Sequence, residues 1–419
     1  MTATTSSIPL PSALLSPGDR LSQRSRTGVV VILGMLVALG PFTTDLYLPA
    51  FPAVQAAFGT SDVAIQLTLS ATVLGFASGQ LVVGPLSDRF GRRVPLLVAA
   101  ALHITACLLA AVAPSIALLT VLRLLQGFGA AGGAVVANAM VRDLFHGHRL
   151  VRMIGNLSLV SGAAPILAPL VGSQLLLWLD WRGLFVSLAV YGVGALSLAV
   201  VAIGETRPAE ARATSVHATA WSRYRAVLTD RVFVGAAIAG SMQFCGIFAY
   251  LAVSPFLLQE VHGLTPQQYG LVFAVNSVGI MVGAQTAARL MHRVGPQWIL
   301  VGTAGVQLLA AAALLLMRDP ALPLPLVIIP FTVFMTASGF AFPSVQVLGL
   351  IHHGEEAGTA ASVLGATNFG LAAVVAPIIG LLGAHAASSV GVVIAVGGSI
   401  GMLALWTLVR PRSVRVFAE

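Results

Sequence analysis

The stretch Gly84-Pro85-Leu86-Ser87-Asp88-Arg89-Phe90-Gly91-Arg92-Arg93 places one carboxylate and three guanidiniums between two long apolar runs, 66–83 and 94–113. Neither run tolerates charge inside a bilayer, so the cluster must lie at a membrane surface and turn the chain between two spans. Orientation in a membrane asks only for basic residues in such a loop. The form G-x-x-x-D-R-x-G-R-R, with an Asp and two glycines at set places, asks for more.

Composition reads the same way. Hydrophobic residues make up 57% of the 419 residues, charged residues only 9%, and mean hydropathy is +0.94, whereas soluble domains carry about 25% charged residues. A soluble core is excluded. All 22 basic residues are arginine and give a sequence pI near 10.7. They stand in short clusters between apolar spans, which argues against nucleic-acid binding. Cys107 and Cys245 lie in predicted spans with no metal-ligand or redox spacing and read as small apolar fillers.

Twelve apolar runs are long enough to cross a bilayer, which takes about 20 helical residues. They lie near 28–50, 63–86, 94–113, 116–141, 150–177, 183–204, 231–258, 267–288, 297–317, 323–350, 358–383 and 388–409. Residues 1–27 read as a cytoplasmic tail, because the one apolar bit in them is broken by Pro11 and Ser12. Residues 410–419 form a second tail. With the N-terminus inside, the cytoplasmic face collects Arg89, Arg92, Arg93, Arg142, Arg149, Arg152, the arginines of 205–231, Arg289, Arg293 and the C-terminal arginines. Arg182 and Arg318 are left outside. That asymmetry satisfies the positive-inside rule and puts both termini in the cytoplasm.

The chain is also a duplication. Asn156-Leu-Ser-Leu159 through Ala164-Pro165-Ile166 recurs as Asn368-Phe-Gly-Leu371 through Ala376-Pro377-Ile378, and Gly127-Phe128 recurs as Gly339-Phe340, both at an offset of 212. Span 5 is thereby paired with span 11 and span 4 with span 10, as a parallel six-plus-six repeat requires. Residues 28–204 and 231–409 are the two six-helix bundles, and 205–230 is a cytoplasmic linker.

The 84–93 cluster resembles the loop between helices 2 and 3 of the major facilitator superfamily. Asp45-Leu-Tyr-Leu-Pro-Ala-Phe-Pro52 and Arg123-Leu-Leu-Gln126-Gly127-Phe128-Gly129-Ala130-Ala131 are similar to segments of helices 1 and 4 in its drug:proton antiporters of the Bcr/CflA type, the bicyclomycin and chloramphenicol exporters. Gly162, Pro165, Pro169 and Gly172 resemble the antiporter motif of helix 5, with Ala164 where the wider superfamily has glycine. The second half matches only by general pattern, and its copy of the signature loop keeps Arg289, Arg293 and Gly295 but no acid. The resemblance implies an all-α integral membrane protein with the major facilitator fold, working in the bacterial inner membrane on a small amphipathic drug and protons. It also implies a loop, Gly84, Asp88, Arg89, Gly91, Arg92 and Arg93, whose Asp holds the cytoplasmic side closed against the other half.

Physical chemistry supplies roles for single residues. Asp45 and Arg123 are the most deeply placed ionisable residues, and a charge at membrane depth usually faces a cavity and has a role. Helical rise puts Asp45 ~26 Å from an entry near Thr27 and Arg123 ~10 Å from the other surface, so the two are expected to meet. The pair is read as the proton-coupling site. Shifted by 212, Arg123 falls on Met335, and the counterpart of Asp45 falls in 248–257, which carries no charged side chain. The N half therefore titrates and the C half supplies shape. Asp88, in turn, is expected to face the positive N-terminal end of span 11 near Thr359, with Gly84 permitting close helix approach and Gly91 the turn.

For the substrate pocket the polar or aromatic residues within spans are Tyr47, Gln126, Tyr250, Asn276, Phe334, Phe340 and Asn368, with Met242, Phe244 and Met335 as adaptable wall. His103 reads as a hydrogen-bonded structural histidine, and His146, His148, His352 and His353 as loop residues. No metal, cofactor, nucleic acid or enzymatic nucleophile is expected, and the chain is expected to work as a monomer. Export of one endogenous metabolite, proton-coupled import, and ligand sensing without transport are the alternatives that the residues leave open.

Overall fold

The computed structural model describes residues 23–145, 147–207, 220–317, 322–353 and 357–414. The expected tail up to residue 22, residues 208–219 of the linker, Arg318, Glu355, Glu356 and the last five residues lie outside them, as does His146. The N half runs α1 (Gln23–Asp45), α2 (Phe51–Phe58), α3 (Asp62–Phe90), α4 (Arg93–Ala111), α5 (Ile116–Leu144), α6 (Gly147–Leu175) and α7 (Trp181–Ala202). A short helix, α8 (Ala220–Thr229), precedes the C half: α9 (Arg231–Phe256), α10 (Pro266–Val294), α11 (Pro296–Leu316), α12 (Leu324–Leu350), α13 (Ala357–Leu382) and α14 (Ala387–Ala404). These helices make twelve spans, the expected number, with α1 and α2 forming one span over Thr27–Phe58. An even number of spans leaves both chain ends on one face, here the terminal face; the other is the opposite face.

Two boundaries differ from the sequence reading. Span 1 does not end near residue 50: α1 stops at Asp45, a 3₁₀ turn covers Leu48–Ala50, and helix resumes to Phe58. Pro49 and Pro52 account for the break, since each removes a backbone donor but is tolerated in the first turn of a new helix. Asp45 consequently sits inside a span rather than at its mouth. The 84–93 segment is also less of a loop than its charges suggest, because α3 stays helical through Phe90. Gly91, at φ 87°, makes the turn, and Arg92 is the N-cap of α4.

Glycine fixes how α3 and α5 cross. A Cβ on Gly75 would fall on the Leu124 carbonyl oxygen, and one on Gly127 would fall on that of Thr72. The C half repeats the arrangement, Gly283 against Thr336 and Gly339 against Ile280, in the crossing of α10 with α12. The α5 and α12 positions keep the 212 offset; the α3 and α10 positions are 208 apart. The duplication thus reads through to backbone contacts, with a four-residue difference between the repeats taken up before α12. Gly84 does not have the expected part, since a Cβ there would meet Val135 at an ordinary 3.8 Å. It stands one and a half turns beyond Gly79, where the helices are close, and the approach has relaxed by then.

The apolar core is distributed unequally between the two faces. Toward the opposite face one continuous cluster joins the halves, with Tyr47, Phe51, Val73 and Phe185 from the first and Tyr250, Phe256, Phe331 and Ala376 from the second. Toward the terminal face the core divides. One body holds Leu33, Leu36, Ala137, Val141 and Phe145 of the N half. The other holds Val227, Phe233, Val345, Leu364 and Val409 of the C half.

Candidate functional site

Arg123 is fully buried on α5 and lies against the break in span 1. Its Nη1 donates to the Thr43 carbonyl oxygen at 2.9 Å and to Gln126 Oε1 at 2.6 Å, while its guanidinium carbon stands 4.7 Å from the centre of the Tyr47 ring and 5.7 Å from that of Phe185. Nε and Nη2 have no hydrogen-bond partner. Asp45 is 6% exposed and two residues from Thr43, yet the described ion pairs include none between Asp45 and Arg123. The expected meeting is therefore a shared neighbourhood: the arginine reaches the last turn of α1 through the Thr43 carbonyl and makes no ion pair with the carboxylate. Among the described residues Asp45 is the one buried acid.

Gln126 is fully buried and bonded on two sides. Its side-chain amide donates to Cys107 Sγ at 3.0 Å, its backbone carbonyl oxygen meets His103 Nδ1 at 3.1 Å, and His103 Nε2 lies 3.5 Å from the same sulfur. His103 and Cys107 are thus a satisfied polar joint between α4 and α5 that holds Gln126 under Arg123. An i, i+3 placement of Arg and Gln on one helix face explains why the two meet.

The C half has its own network. Asn276 Nδ2 donates to the Tyr250 hydroxyl at 2.7 Å, and Asn276 Oδ1 accepts from Thr332 at 2.6 Å. Phe334 is buried against Gly246, Phe340 packs beside Gly283, and Asn368 accepts from Ser241 at 2.8 Å. Met335 is core, 1% exposed. Each of these side chains is engaged inside its own half. One row of rings, unforeseen in the sequence apart from Phe244, crosses between the halves: Phe76 on α3 lies 5.5 Å from Phe369 on α13, which lies 5.2 Å from Phe244 on α9. Phe244 continues to Phe248 and Phe342. Phe369 directly follows Asn368 in the repeated motif, the one signal that pointed there.

At the terminal face Arg92 is the hub. Its side chain, 5% exposed, donates to Asp143 at 2.7 and 3.3 Å, to Ser87 at 2.8 Å and to Asp88 at 2.7 Å. Burial works against its charge, but hydrogen bonds and charge from Asp143 and Asp88 outweigh burial and raise its pKa above the ordinary guanidinium value. Glu205 accepts from the backbone N–H groups of Arg92 and Arg93, and Arg207 bonds Asp88 at 3.0 Å. Asp88 accordingly faces Arg92 and Arg207 in place of the Thr359 end of α13. The chain leaving α7 brings Arg207 within reach first, and Arg92 is already committed to Asp143 at the end of α5. Arg89 and Arg93 are exposed, Arg89 stacking on Phe90 at 5.3 Å.

The four α6 positions divide by depth. A Cβ on Gly172 would strike the Leu46 backbone, and the Pro169 carbonyl and Ser173 abut Gly270 on α10 of the other half, whereas Gly162 meets nothing within 4 Å. Pro165 and Pro169 lie inside the helix, where each leaves a backbone carbonyl without its usual donor. So α6 grips the other half near the opposite face, while its Gly162 position is open. Polar contacts between halves follow suit: Gln66 donates to the Ala252 carbonyl at 2.7 Å and Gln267 to that of Ser173 at 2.8 Å, both near the opposite face.

Twelve spans in two repeated bundles, packed on each other through α3 and α13, with a buried arginine and carboxylate within the N half, define a polytopic membrane transporter. The sequence profile of the Major Facilitator Superfamily matches residues 30–377, and the chain belongs to that superfamily. It is 34% identical over 394 residues to an uncharacterized MFS-type transporter of Bacillus subtilis (strain 168), YdgK, covering 93% of this chain and 97% of that one. It is 27% identical to a bicyclomycin resistance protein homolog of Haemophilus influenzae (85% and 90% covered), and 30% identical to the multidrug resistance protein MdtL of Salmonella schwarzengrund (79% and 82%). In fold it is similar to a bacterial homolog of the human lysosomal transporter Spinster in an inward-facing, unoccupied conformation. The TM-score is 0.72 at 16% identity, with 93% and 99% of the two chains covered. It is similar in the same way to the xylose transporter XylE of E. coli in a partially occluded inward-open conformation, with TM-score 0.72, 14% identity, and 92% and 97% covered.

Proposed function

We propose that this transporter expels small amphipathic drugs from a bacterial cell in exchange for protons, by alternating access. The observation that carries the reading is the divided core: one apolar body seals the halves at the opposite face, while two separate bodies stand at the terminal face. Such an arrangement suits two rigid bundles that rock about a central site. The positive-inside rule makes the terminal face cytoplasmic, with residues 205–230 as the linker and the chain a monomer in the inner membrane. Relatives named for bicyclomycin and multidrug resistance favour drugs over one metabolite, and the Phe76–Phe369–Phe244 row offers the apolar, polarizable wall that a permissive site uses.

Proton coupling rests on Asp45 and Arg123. Buried donors without acceptors are costly, so the orphaned Nε and Nη2 of Arg123 favour any state that brings a carboxylate or a ligand carbonyl to them. In one state Asp45 would be deprotonated and satisfy Arg123; in the other, protonation would release it, and the arginine would fall back on Thr43 and Gln126. Drug and proton then compete for one polar centre. Phe185 and Tyr47 around it keep water out and strengthen that competition.

The test is drug-induced proton release from purified protein. Wild type should release protons when chloramphenicol or bicyclomycin is added, and Asp45→Asn should release none while still binding drug with a pH-independent affinity. Equal release from both proteins would remove Asp45 from the mechanism.

A further inference from the structure

At the opposite face, His385 stands between two carboxylates that belong to different halves. It lies in the turn between α13 and α14. Its Nε2 is 2.6 Å from Glu260 Oε2, in the π-helical turn after α9, and its Nδ1 is 3.3 Å from Oδ2 of Asp62, the first residue of α3. Gln55 on α2 donates to the other Asp62 oxygen at 2.7 Å, and the Phe256 ring lies 5.6 Å from the imidazole. His385 therefore bridges the N half, through Asp62, to the C half, through Glu260 and its own backbone.

The chemistry of the ring decides what this bridge requires. An ionised carboxylate only accepts hydrogen bonds, and a neutral imidazole has one N–H to give. With both ring nitrogens facing carboxylate oxygens, only the imidazolium can donate to each. Deprotonated, the ring turns one lone pair toward an oxygen, and one contact becomes repulsive. The side chain is 42% exposed, so protons reach it from the aqueous side without crossing the molecule. Imidazole is also the side chain that changes charge across the mildly acidic range.

We propose that His385 is a proton-binding gate, whose protonation ties the two halves together and biases the carrier toward the state closed at the opposite face. The proposal rests on the alternating-access reading but not on Asp45 or on the identity of the drug. A ligand that binds one of two states more tightly shifts the balance toward it, and here the ligand is the proton. If the opposite face is exterior, external acid would close the carrier after a drug has left and return it to the cell side. Asp45 would then couple transport, and His385 would time the reset.

Spin labels at Ala57 in the N half and Leu381 in the C half, both exposed near the opposite face, read this closure by pulsed dipolar spectroscopy in lipid nanodiscs. Between about pH 8 and about pH 5 the ratio of short to long distances should rise roughly threefold or more. His385→Gln should flatten that rise while the protein still transports, and His385→Lys, always charged, should hold the short distance at the alkaline end. The rise should persist in Asp45→Asn. A His385→Gln protein with the wild-type pH response, or loss of the whole response in Asp45→Asn, would overturn the gate. A distance that never changes in any variant or at any pH would overturn alternating access and the gate with it.

Discussion

Arg123 shows how one residue can be functional without being paired. Its guanidinium stands over the Tyr47 ring with one nitrogen bonded to Thr43 and Gln126 and two unsatisfied. A lysine carries the same charge but not the planar fork, so it can neither stack the same way nor switch between partners on two sides. Arg123→Lys should fold and insert yet lose transport by about tenfold or more, about 1.4 kcal/mol at the least. Drug uptake into inside-out vesicles, normalised to inserted protein, measures it; retention of half the wild-type rate would refute the switching role. Its repeat partner behaves differently for a structural reason. Met335 was expected to tune the pocket, but it is packed in the core, so Met335→Ala should act mainly on stability, by about 2–5 kcal/mol, as a cavity does.

At the scale of elements, the junction of α3, α4 and α5 is tied by Arg92. Asp143 binds it in two places and is 17% exposed, whereas Asp88 binds it in one and is 49% exposed. Breaking a buried pair is costlier than breaking a solvated one, because the remaining charge stays uncompensated. Asp143→Asn should therefore lower the thermal midpoint in detergent clearly, and Asp88→Asn only slightly. Asp88→Asn should instead reduce efflux, because its carboxylate, half in solvent and shared with Arg207, is the member of the cluster free to change partners as the halves move. The reverse ranking, with Asp88 the stability residue, would contradict this division. Apolar run length and charge made these three helices legible in advance. Gly91 was legible too, since a turn between two helices at positive φ favours glycine. The α3–α5 contact was not: Gly84 carried the motif, but Gly75 and Gly127 face backbone carbonyls across the crossing. Which glycine is needed depends on where two helices are closest, and that is set by their crossing angle.

For the whole molecule, the closed face is a sum of small contacts laid over one apolar body. Gln66 and Gln267 each donate to a carbonyl of the other half near that face. Each is worth about 1 kcal/mol, enough to shift a balanced two-state equilibrium about fivefold. Gln66→Leu should thus raise the population open at the opposite face without unfolding the protein. Labelling rates of a cysteine placed at Val63 would show it, and an unchanged rate would mean that the apolar seal alone sets the balance.

The sequence by itself determined the membrane class, the twelve spans, the duplication and the family, because each depends on local run length, charge placement or a repeated spacing along the chain. It also singled out Asp45, Arg123 and Asp88, since charge in an apolar context stands out wherever it folds. Only the tertiary structure decided whom these residues touch. It brought Arg123 to the Thr43 carbonyl, left Asp45 without an ion pair, turned Asp88 toward Arg207, brought Phe76 to Phe369 and set His385 between Asp62 and Glu260. These partners are contributed by helices far apart in the chain. Their distances are fixed by how the two bundles pack and at which face they meet, and no local pattern records that.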